Sequence, residues 1–333
     1  MSNLRNSSIT AITKHLAAWL LLCLSAAAIP SDEESPAPTA SPDGIVVTLL
    51  GTGTPVPNPR QSGPSILVEA GDQRLLFDCG RGCASQMWIV DHDHLRKTHR
   101  LFLTHMHSDH TVGIADLFMN GWNLGRAEPL AVYGPPGAET LMRHLRAAFE
   151  EDVVYRADRQ KHTITREGLR YLTTPVQDGL VIQLGKVTVT AFDVDHHIVE
   201  PAFGYRVDYG GHSVVVSGDT AYSANLVRYS QGADVVLHEV MSGALENFIR
   251  TTFPEEVADD IVALHTLAPD VGRVFAKTGT RLGVLTHLNN EPSAIPELEA
   301  EVRSTFDGRF VVGQDLMRIE IGDDVRVIAP TQQ

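Results

Sequence analysis

His105-Met106-His107-Ser108-Asp109-His110 gathers four side chains able to ligate a metal into six positions. Directly before it runs Arg100-Leu101-Phe102-Leu103-Thr104, an apolar segment of buried-strand length, so the cluster stands where a strand ends. His105 and His107, two apart on extended or turning backbone, can face the same way and share one cation. Asp109 and His110 follow the turn and can reach a second cation nearby. Imidazole combined with carboxylate suits zinc, manganese or iron better than magnesium or calcium. A histidine-rich surface loop would have the same composition. What separates the two readings is whether further ligands arrive from elsewhere in the chain.

Four later apolar runs deliver them. Val187–Phe192 leads into Asp193-Val194-Asp195-His196-His197, and Ser213–Val216 into Ser217-Gly218-Asp219-Thr220. Ala233–Leu237 leads into His238-Glu239, and Arg281–Thr286 into His287. Strand ends hold side chains more rigidly than mid-loop positions do, as a metal site requires. Five such arrivals predict strands that share one sheet edge, with their ends converging. By contrast Asp91-His92-Asp93-His94, with His99, alternates acid and imidazole but follows no apolar strand and precedes Leu95-Arg96-Lys97. It reads as a solvated helix face or loop.

The chain has 333 residues, 43% of them hydrophobic, enough for one large α/β domain or two ordinary ones. Residues 1–28 stand apart as a signal peptide: Arg5 and Lys14 form a basic start, Leu16–Leu24 an apolar run, and Ala26-Ala27-Ala28 a cleavage site. The run is shorter than the ~20 residues of a membrane helix, although a retained N-terminal anchor shares the pattern. Cys23 would suit a lipoprotein, but Leu22 precedes it where a small residue is expected. The expectation is a periplasmic or secreted protein with no membrane contact after cleavage. Residues 29–43, including SDEESPAPTASPD, read as a linker, and 44–333 as the folded domain.

Without residues 1–28 the chain carries 25 Lys+Arg against 41 Asp+Glu, a formal −16, and it has no Lys/Arg-rich run. A protein that neutralises many phosphates should look the opposite way, so no nucleic acid is expected as a partner. Cys79 and Cys83 remain in Asp78-Cys79-Gly80-Arg81-Gly82-Cys83. An oxidising compartment permits a disulfide between them, while two small buried thiols fit equally well. Within the domain, Ile45–Leu50 is a β-branched opening strand ended by Gly51-Thr52-Gly53-Thr54-Pro55. Ser65–Glu69 and Arg74–Asp78 flank Ala70-Gly71-Asp72 as a hairpin. Helical patterns cover Glu139–Glu150, Pro254–His265 and Pro269–Thr278.

In order along the chain, HxHxDH, Asp-His, Ser-Gly-Asp-Thr, His-Glu and Leu-Thr-His resemble the metallo-β-lactamase superfamily. The nearer likeness is to its branch of ribonuclease Z and arylsulfatase-like enzymes. It is carried by Leu50-Gly51-Thr52-Gly53-Thr54-Pro55, Phe77-Asp78-Cys79-Gly80-Arg81-Gly82, Ala202-Phe203-Gly204-Tyr205-Arg206, His265-Thr266 and Leu285-Thr286-His287. The resemblance implies an α/β fold, an αβ/βα sandwich of two mixed β-sheets flanked by helices, with two divalent metal ions at the sheet edge. Zinc is the first expectation, with manganese or iron as alternatives. The first ion would sit on His105, His107 and His196, the second on Asp109, His110 and His287, with Asp219 bridging both. His196 is preferred to His197 because Val194-Asp195-His196 matches the family's Val-Asp-His. Asp109, His265 and Glu239 are the implied catalytic residues. His265 would protonate the leaving group and Glu239 would orient it, although a helix-start histidine with no chemical part remains an alternative.

The implied chemistry is hydrolysis by a hydroxide held between two metals, and the substrate depends on the surroundings. Ribonuclease Z carries a long arm between its third histidine and Ser-Gly-Asp-Thr to grip tRNA. Here His196 and Asp219 are 23 positions apart, filled by a strand, the Tyr209-Gly210-Gly211 turn and another strand. With the signal peptide, this predicts a secreted arylsulfatase acting on small aryl sulfate esters. The alternatives are a periplasmic phosphodiesterase for cyclic nucleotides or small phosphodiesters, a lactonase or β-lactamase-type hydrolase, and a non-catalytic metal-binding module. His265 and Glu239 speak against the last, since a binding module has no use for them. Met119-Asn120-Gly121-Trp122-Asn123 would either contact substrate or pack around Trp122. A homodimer is compatible with the fold's relatives.

Overall fold

The opening strand, β1 (Ile45–Gly51), is buried along its whole length in the computed structural model, which describes residues 43–159, 166–289 and 291–330. A strand covered on both faces has no side to show to water, hence its unbroken apolar run. It belongs to a mixed sheet with β2 (Ser65–Ala70), β3 (Gln73–Phe77), β4 (Arg100–Phe102), β5 (Leu130–Gly134), β6 (Tyr171–Pro175), β14 (Arg318–Ile321) and β15 (Val325–Ile328). The spatial order is β15-β14-β1-β2-β3-β4-β5-β6. The second mixed sheet holds β7 (Val181–Leu184), β8 (Val187–Val194), β9 (Ala202–Tyr209), β10 (His212–Val216), β11 (Val235–Glu239), β12 (Leu282–Thr286) and β13 (Phe310–Val312). Its order is β13-β12-β11-β10-β9-β8-β7.

Alternation along each strand sorts side chains into layers. Val47 and Leu49 of β1 enter a core shared with Val214, Val216, Val235 and Leu237 of the other sheet. Leu50 joins Leu67, Leu76, Leu101 and Leu103 beneath the helices Cys83–Val90 and Ile114–Asn123. On the far side Val215, Val236 and Leu285 pack on Val271, Val274 and Phe275 of the helix Ala268–Thr278. The layers run helix, sheet, sheet, helix, the αβ/βα sandwich that was expected. Each fully buried Val or Leu in these layers stabilises the fold by about 1.5–3 kcal/mol relative to exposure.

Local expectations hold in detail. β2 and β3 form an antiparallel hairpin closing at Ala70 and Gln73. The helical patterns correspond to helices Ala138–Ala148, Glu255–Ala263 and Ala268–Thr278, and His265 lies between the last two. Asp93 pairs with Arg96 at 3.0 Å and His92 stacks on Trp88, as a solvated helix face should. His94 departs from that reading and is buried. One long-range expectation fails. The strands leading to the clustered residues do not share one sheet edge, because β4 lies in the first sheet and β8, β10, β11 and β12 in the second. Apolar period marks a buried strand but does not say which sheet it joins. The predicted signal peptide and nearly all of the predicted linker lie outside the described residues. Among the described residues, no helix is long and apolar enough to cross a membrane.

Candidate metal centre

After β4 the chain runs extended to His107 and then makes a single helical turn, Ser108–Thr111, that swings Asp109 and His110 back toward His105. The second sheet ties into this segment. Phe203 N donates to Thr104 O at 2.8 Å and the Tyr205 hydroxyl donates to Leu103 O at 2.7 Å. Gly218 has φ 63°, and a Cβ there would stand 2.8 Å from Thr104 Cβ, so only glycine lets the Asp219 loop approach so closely. Thr220 knits the loops of the second sheet together: its hydroxyl bonds to the backbone of Asp195, and its carbonyl accepts from Thr266 Oγ1 at 2.6 Å.

These connections bring the seven predicted residues into two groups. His105, His107, His196 and Asp219 present ligand atoms all within 4.8 Å of one another, as do Asp109, His110 and His287. His196 Nε2 lies 3.4 Å from His107 Nδ1, and His105 Nε2 lies 3.9 Å from Asp219 Oδ2. The same Asp219 oxygen is 3.3 Å from both His110 Nε2 and His287 Nε2. Asp109 Oδ2 is 3.2 Å from His287 Nε2. Asp219 therefore faces both groups. His197 is exposed, with Nε2 3.7 Å from Asp260 Oδ1 and away from either group. His238 is buried against Phe275, since alternate strand residues face opposite ways.

The donor set fits a pair of cations. Nε2 of His105 and of His110 are buried and have no hydrogen-bond partner of acceptable geometry. An orphaned buried polar atom costs about 1–3 kcal/mol unless something else satisfies it. Imidazoles grouped with carboxylates at this spacing are what a transition metal asks for. Burial, with His110 adding to it, holds His105 well below the ordinary imidazole range, the neutral form that ligates. Burial alone would raise Asp219, but His287 and His110 hold its carboxyl well below the usual carboxylate range. Despite burial, His110 is pushed well above its ordinary value by Asp219 and Asp78.

The outer contacts set the tautomers. Thr104 Oγ1 donates to Asp78 Oδ2 at 2.8 Å and so accepts from His105 Nδ1 at 2.9 Å. His110 Nδ1 donates to the same Asp78 oxygen at 2.7 Å, and His196 Nδ1 donates to Leu264 O at 2.8 Å. With Nδ1 so engaged, Nε2 keeps its lone pair for the site. Asp78 thus supports both groups, a role the sequence reading missed. The signal was present, since Asp78 ends the apolar strand β3 just as the other residues end theirs.

At the rim, His265 Nδ1 is 3.3 Å from Glu239 Oε2, and Glu239 Oε1 accepts from Thr266 N at 2.7 Å. Burial works against a charged His265, but the Glu239 carboxylate, with Asp219 adding to it, outweighs it and raises the imidazole to about 9. Its ring stacks on His287 with centroids 5.5 Å apart. The segment Met119–Asn123 is not a loop over this site. It closes the helix Ile114–Asn123, with Met119 and Trp122 buried, and its part is packing. Cys79 and Cys83 are free and buried, and burial pushes the Cys79 thiol well up, which leaves it inert.

A family model described as Beta-lactamase superfamily domain matches residues 73–288. The chain belongs to the metallo-β-lactamase superfamily. Among its curated relatives, ribonuclease Z of Mycolicibacterium gilvum is 32% identical over 282 residues, covering 83% of this chain and 96% of the relative. Among solved structures, the metallo-β-lactamase fold protein YhfI from Bacillus subtilis aligns with TM-score 0.64 at 20% identity, over 84% of this chain and 100% of that one. Human tRNase Z, short form, aligns with TM-score 0.61 at 20% identity, over 83% and 99%.

These relatives correct two expectations. The curated ones are named ribonuclease Z, so the arylsulfatase reading with its small aryl sulfate substrate does not hold, and neither does the exclusion of nucleic acid as a partner. The small-phosphodiester, lactonase, β-lactamase and non-catalytic alternatives are not favoured either. Both errors have physical causes. Net charge sums over the whole surface and hides what a local groove can bind. The arm argument fails because 282 aligned positions use 83% of this chain and 96% of the M. gilvum ribonuclease Z. That relative therefore has no insertion of arm length that this chain lacks.

Proposed function

We propose that this chain is a metal-dependent phosphodiesterase that cleaves RNA. The observation that carries this reading is the joint occurrence of two ligand groups around one aspartate oxygen and ribonuclease Z relatives matched over nearly their whole length. His105, His107, His196 and Asp219 would hold one cation, and Asp109, His110, His287 and Asp219 the other. Zinc suits this donor set best, with manganese or iron as alternatives. When bound, the pair supplies a water acidified toward neutral pH and stabilises charge on a phosphoryl oxygen.

The remaining work falls to the chain itself. His265 turns Nδ1 to Glu239, which leaves its other ring nitrogen to hold a proton at the rim of the site. An alkoxide is a poor leaving group, so delivery of that proton to the departing ribose oxygen is a natural part for His265. Asp78, Thr104 and Leu264 O fix the imidazole rings through their Nδ1 hydrogens, so the site needs little rearrangement before it reacts.

The test is a substrate panel for the zinc- or manganese-loaded chain, comprising end-labelled RNA, a tRNA precursor transcript, an aryl phosphodiester and an aryl sulfate. RNA cleavage that a chelator abolishes and zinc restores is the expected result. Intact RNA beside active sulfate ester hydrolysis would overturn it. We also infer export from residues 1–28, with cleavage after Ala28. Terminal sequencing of periplasmic and cytoplasmic fractions checks this, and an intact leader on cytoplasmic protein rules it out.

A further inference from the structure

Asp315 lies in the connection from β13 to β14, where the chain crosses from the seven-stranded sheet to the eight-stranded one. Its Oδ1 accepts from Thr52 N and from Thr52 Oγ1, each at 2.9 Å. Its Oδ2 accepts from Ser62 N at 2.6 Å and from Gln86 Nε2 at 3.2 Å. Three of these four donors belong to the loop between β1 and β2 and pin both its ends, and the fourth, Gln86, comes from the helix Cys83–Val90.

Each end of that loop continues to a residue of the second group. Thr52 O accepts from Leu288 N at 2.9 Å, and Gln61 Nε2 spans Thr52 Oγ1 and Leu288 O at 3.3 and 3.2 Å. Leu288 directly follows His287, whose φ of 53° is a left-handed backbone that a histidine keeps only when its neighbours enforce it. At the other end, Ser62 leads into Gly63. A Cβ on Gly63 would stand 2.7 Å from Arg81 N and 3.1 Å from Asp109 O, so this backbone lies flush against that of Asp109. The supports of His105 and His196 are different ones, Thr104 and Leu264 O.

We propose that Asp315 is a positioning residue for the second group alone, fixing His287 through Thr52 and Asp109 through Ser62. The proposal rests on reading the two groups as metal sites. It goes beyond that reading by giving the second group a support of its own, beside the Asp78 that both groups share. A carboxylate 263 residues from Thr52 in sequence would then tune the affinity of one cation and leave its neighbour alone.

The experiment is zinc titration of the full metal-stripped chain against a chromophoric chelator, with cobalt absorption reporting each site. The unsubstituted chain is expected to take up two equivalents. In D315N the amide keeps the volume but must turn an N–H toward one of its donor pairs. The second equivalent should weaken about 10–100-fold, the usual cost of losing an outer support, with the first within about twofold of its original affinity. Equal weakening of both equivalents, or none, overturns the proposal. If the unsubstituted chain binds fewer than two, the two-site reading itself falls. Should D315N fail to fold, Gln61→Met, which removes the Nε2 bonds to Thr52 Oγ1 and Leu288 O together with the Oε1 bond from Asn58 Nδ2, must show the same one-sided weakening at smaller size. Equal weakening of both sites there overturns the proposal as well.

Discussion

The eight-stranded sheet sends four of the seven clustered residues to the candidate metal centre from a single strand end, His105 to His110 after β4. The seven-stranded sheet sends three, one each from the ends of β8, β10 and β12. The first contribution is local: one strand, one extended tripeptide and one helical turn arrange it. The second depends on topology, because β8 and β10 run the same way only through the two antiparallel pairings of β9, and β12 aligns through β11. The oxygen facing both groups, Asp219 Oδ2, comes from the topological side. The local run can therefore be chemically complete and still bind nothing tightly until the second sheet is in register.

That asymmetry gives the largest expected effect. Asp219→Ala should remove both metal equivalents and bring RNA cleavage to background, since both groups lose their shared oxygen. His107→Ala, taken from the local run, should cost one equivalent and leave Asp109, His110, His287 and Asp219 able to hold the other. Metal analysis of the two purified variants checks this. Equal losses would mean that the site is one cooperative unit and that the division between the two sheets has no chemical consequence.

The same asymmetry explains what was legible in the sequence. His105 to His110 could be read directly, because spacing and an apolar lead-in are local properties. His196, Asp219 and His287 stood out only as strand-end arrivals, and the choice of His196 over His197 and the assignment of each to a group came from the family pattern, since one histidine or aspartate after a strand has no partner visible in sequence. The sheet assignment was wrong because burial does not name a strand's neighbours. Asp78 was overlooked although it ends β3, since its partners Thr104 and His110 lie 26 and 32 residues away. The substrate was misread because whole-chain charge and loop length are indirect witnesses to what a groove binds.

Below the shared oxygen come residues proposed to act without holding metal, and metal content is what tests His265, whose ring nitrogen lies within 4.8 Å of ligand atoms of Asp219 and His287. His265→Ala should keep both equivalents and slow RNA cleavage by about 10²–10⁴-fold, the usual worth of a positioned general acid. An activated aryl phosphodiester, whose leaving group departs unaided, should lose far less. Loss of metal, or equal slowing of both substrates, would show that His265 is not the acid. Next in size, Asp78→Asn should weaken both equivalents by about 10–100-fold, because one oxygen supports His110 directly and His105 through Thr104. Weakening of one equivalent only would show that the first sheet supports the two groups by separate means.

The smallest expected effect is a displacement along the pH axis, and it isolates the part of Glu239, a strand-end carboxylate of the second sheet that stands outside both groups. His265 is raised to about 9 against the desolvation that would lower it, chiefly by the Glu239 carboxylate 3.3 Å away. A raised imidazole holds its proton below that value and gives it up above, so a reaction using His265 as acid should run on the acidic side and fail as pH climbs. Cations beside Asp219 work in the opposite sense, because they cancel a carboxylate that also favours the imidazolium. The alkaline limb of the loaded enzyme should therefore fall below about 9. Glu239→Gln keeps an acceptor for Thr266 N but removes the charge, and should move the limb to lower pH while changing the rate on the acidic plateau little. The pH profile of kcat for this variant beside the unsubstituted chain and His265→Ala is the measurement. A limb that stays put in Glu239→Gln, or persists in His265→Ala, would assign the titration to another group and leave Glu239 only its backbone bond to Thr266.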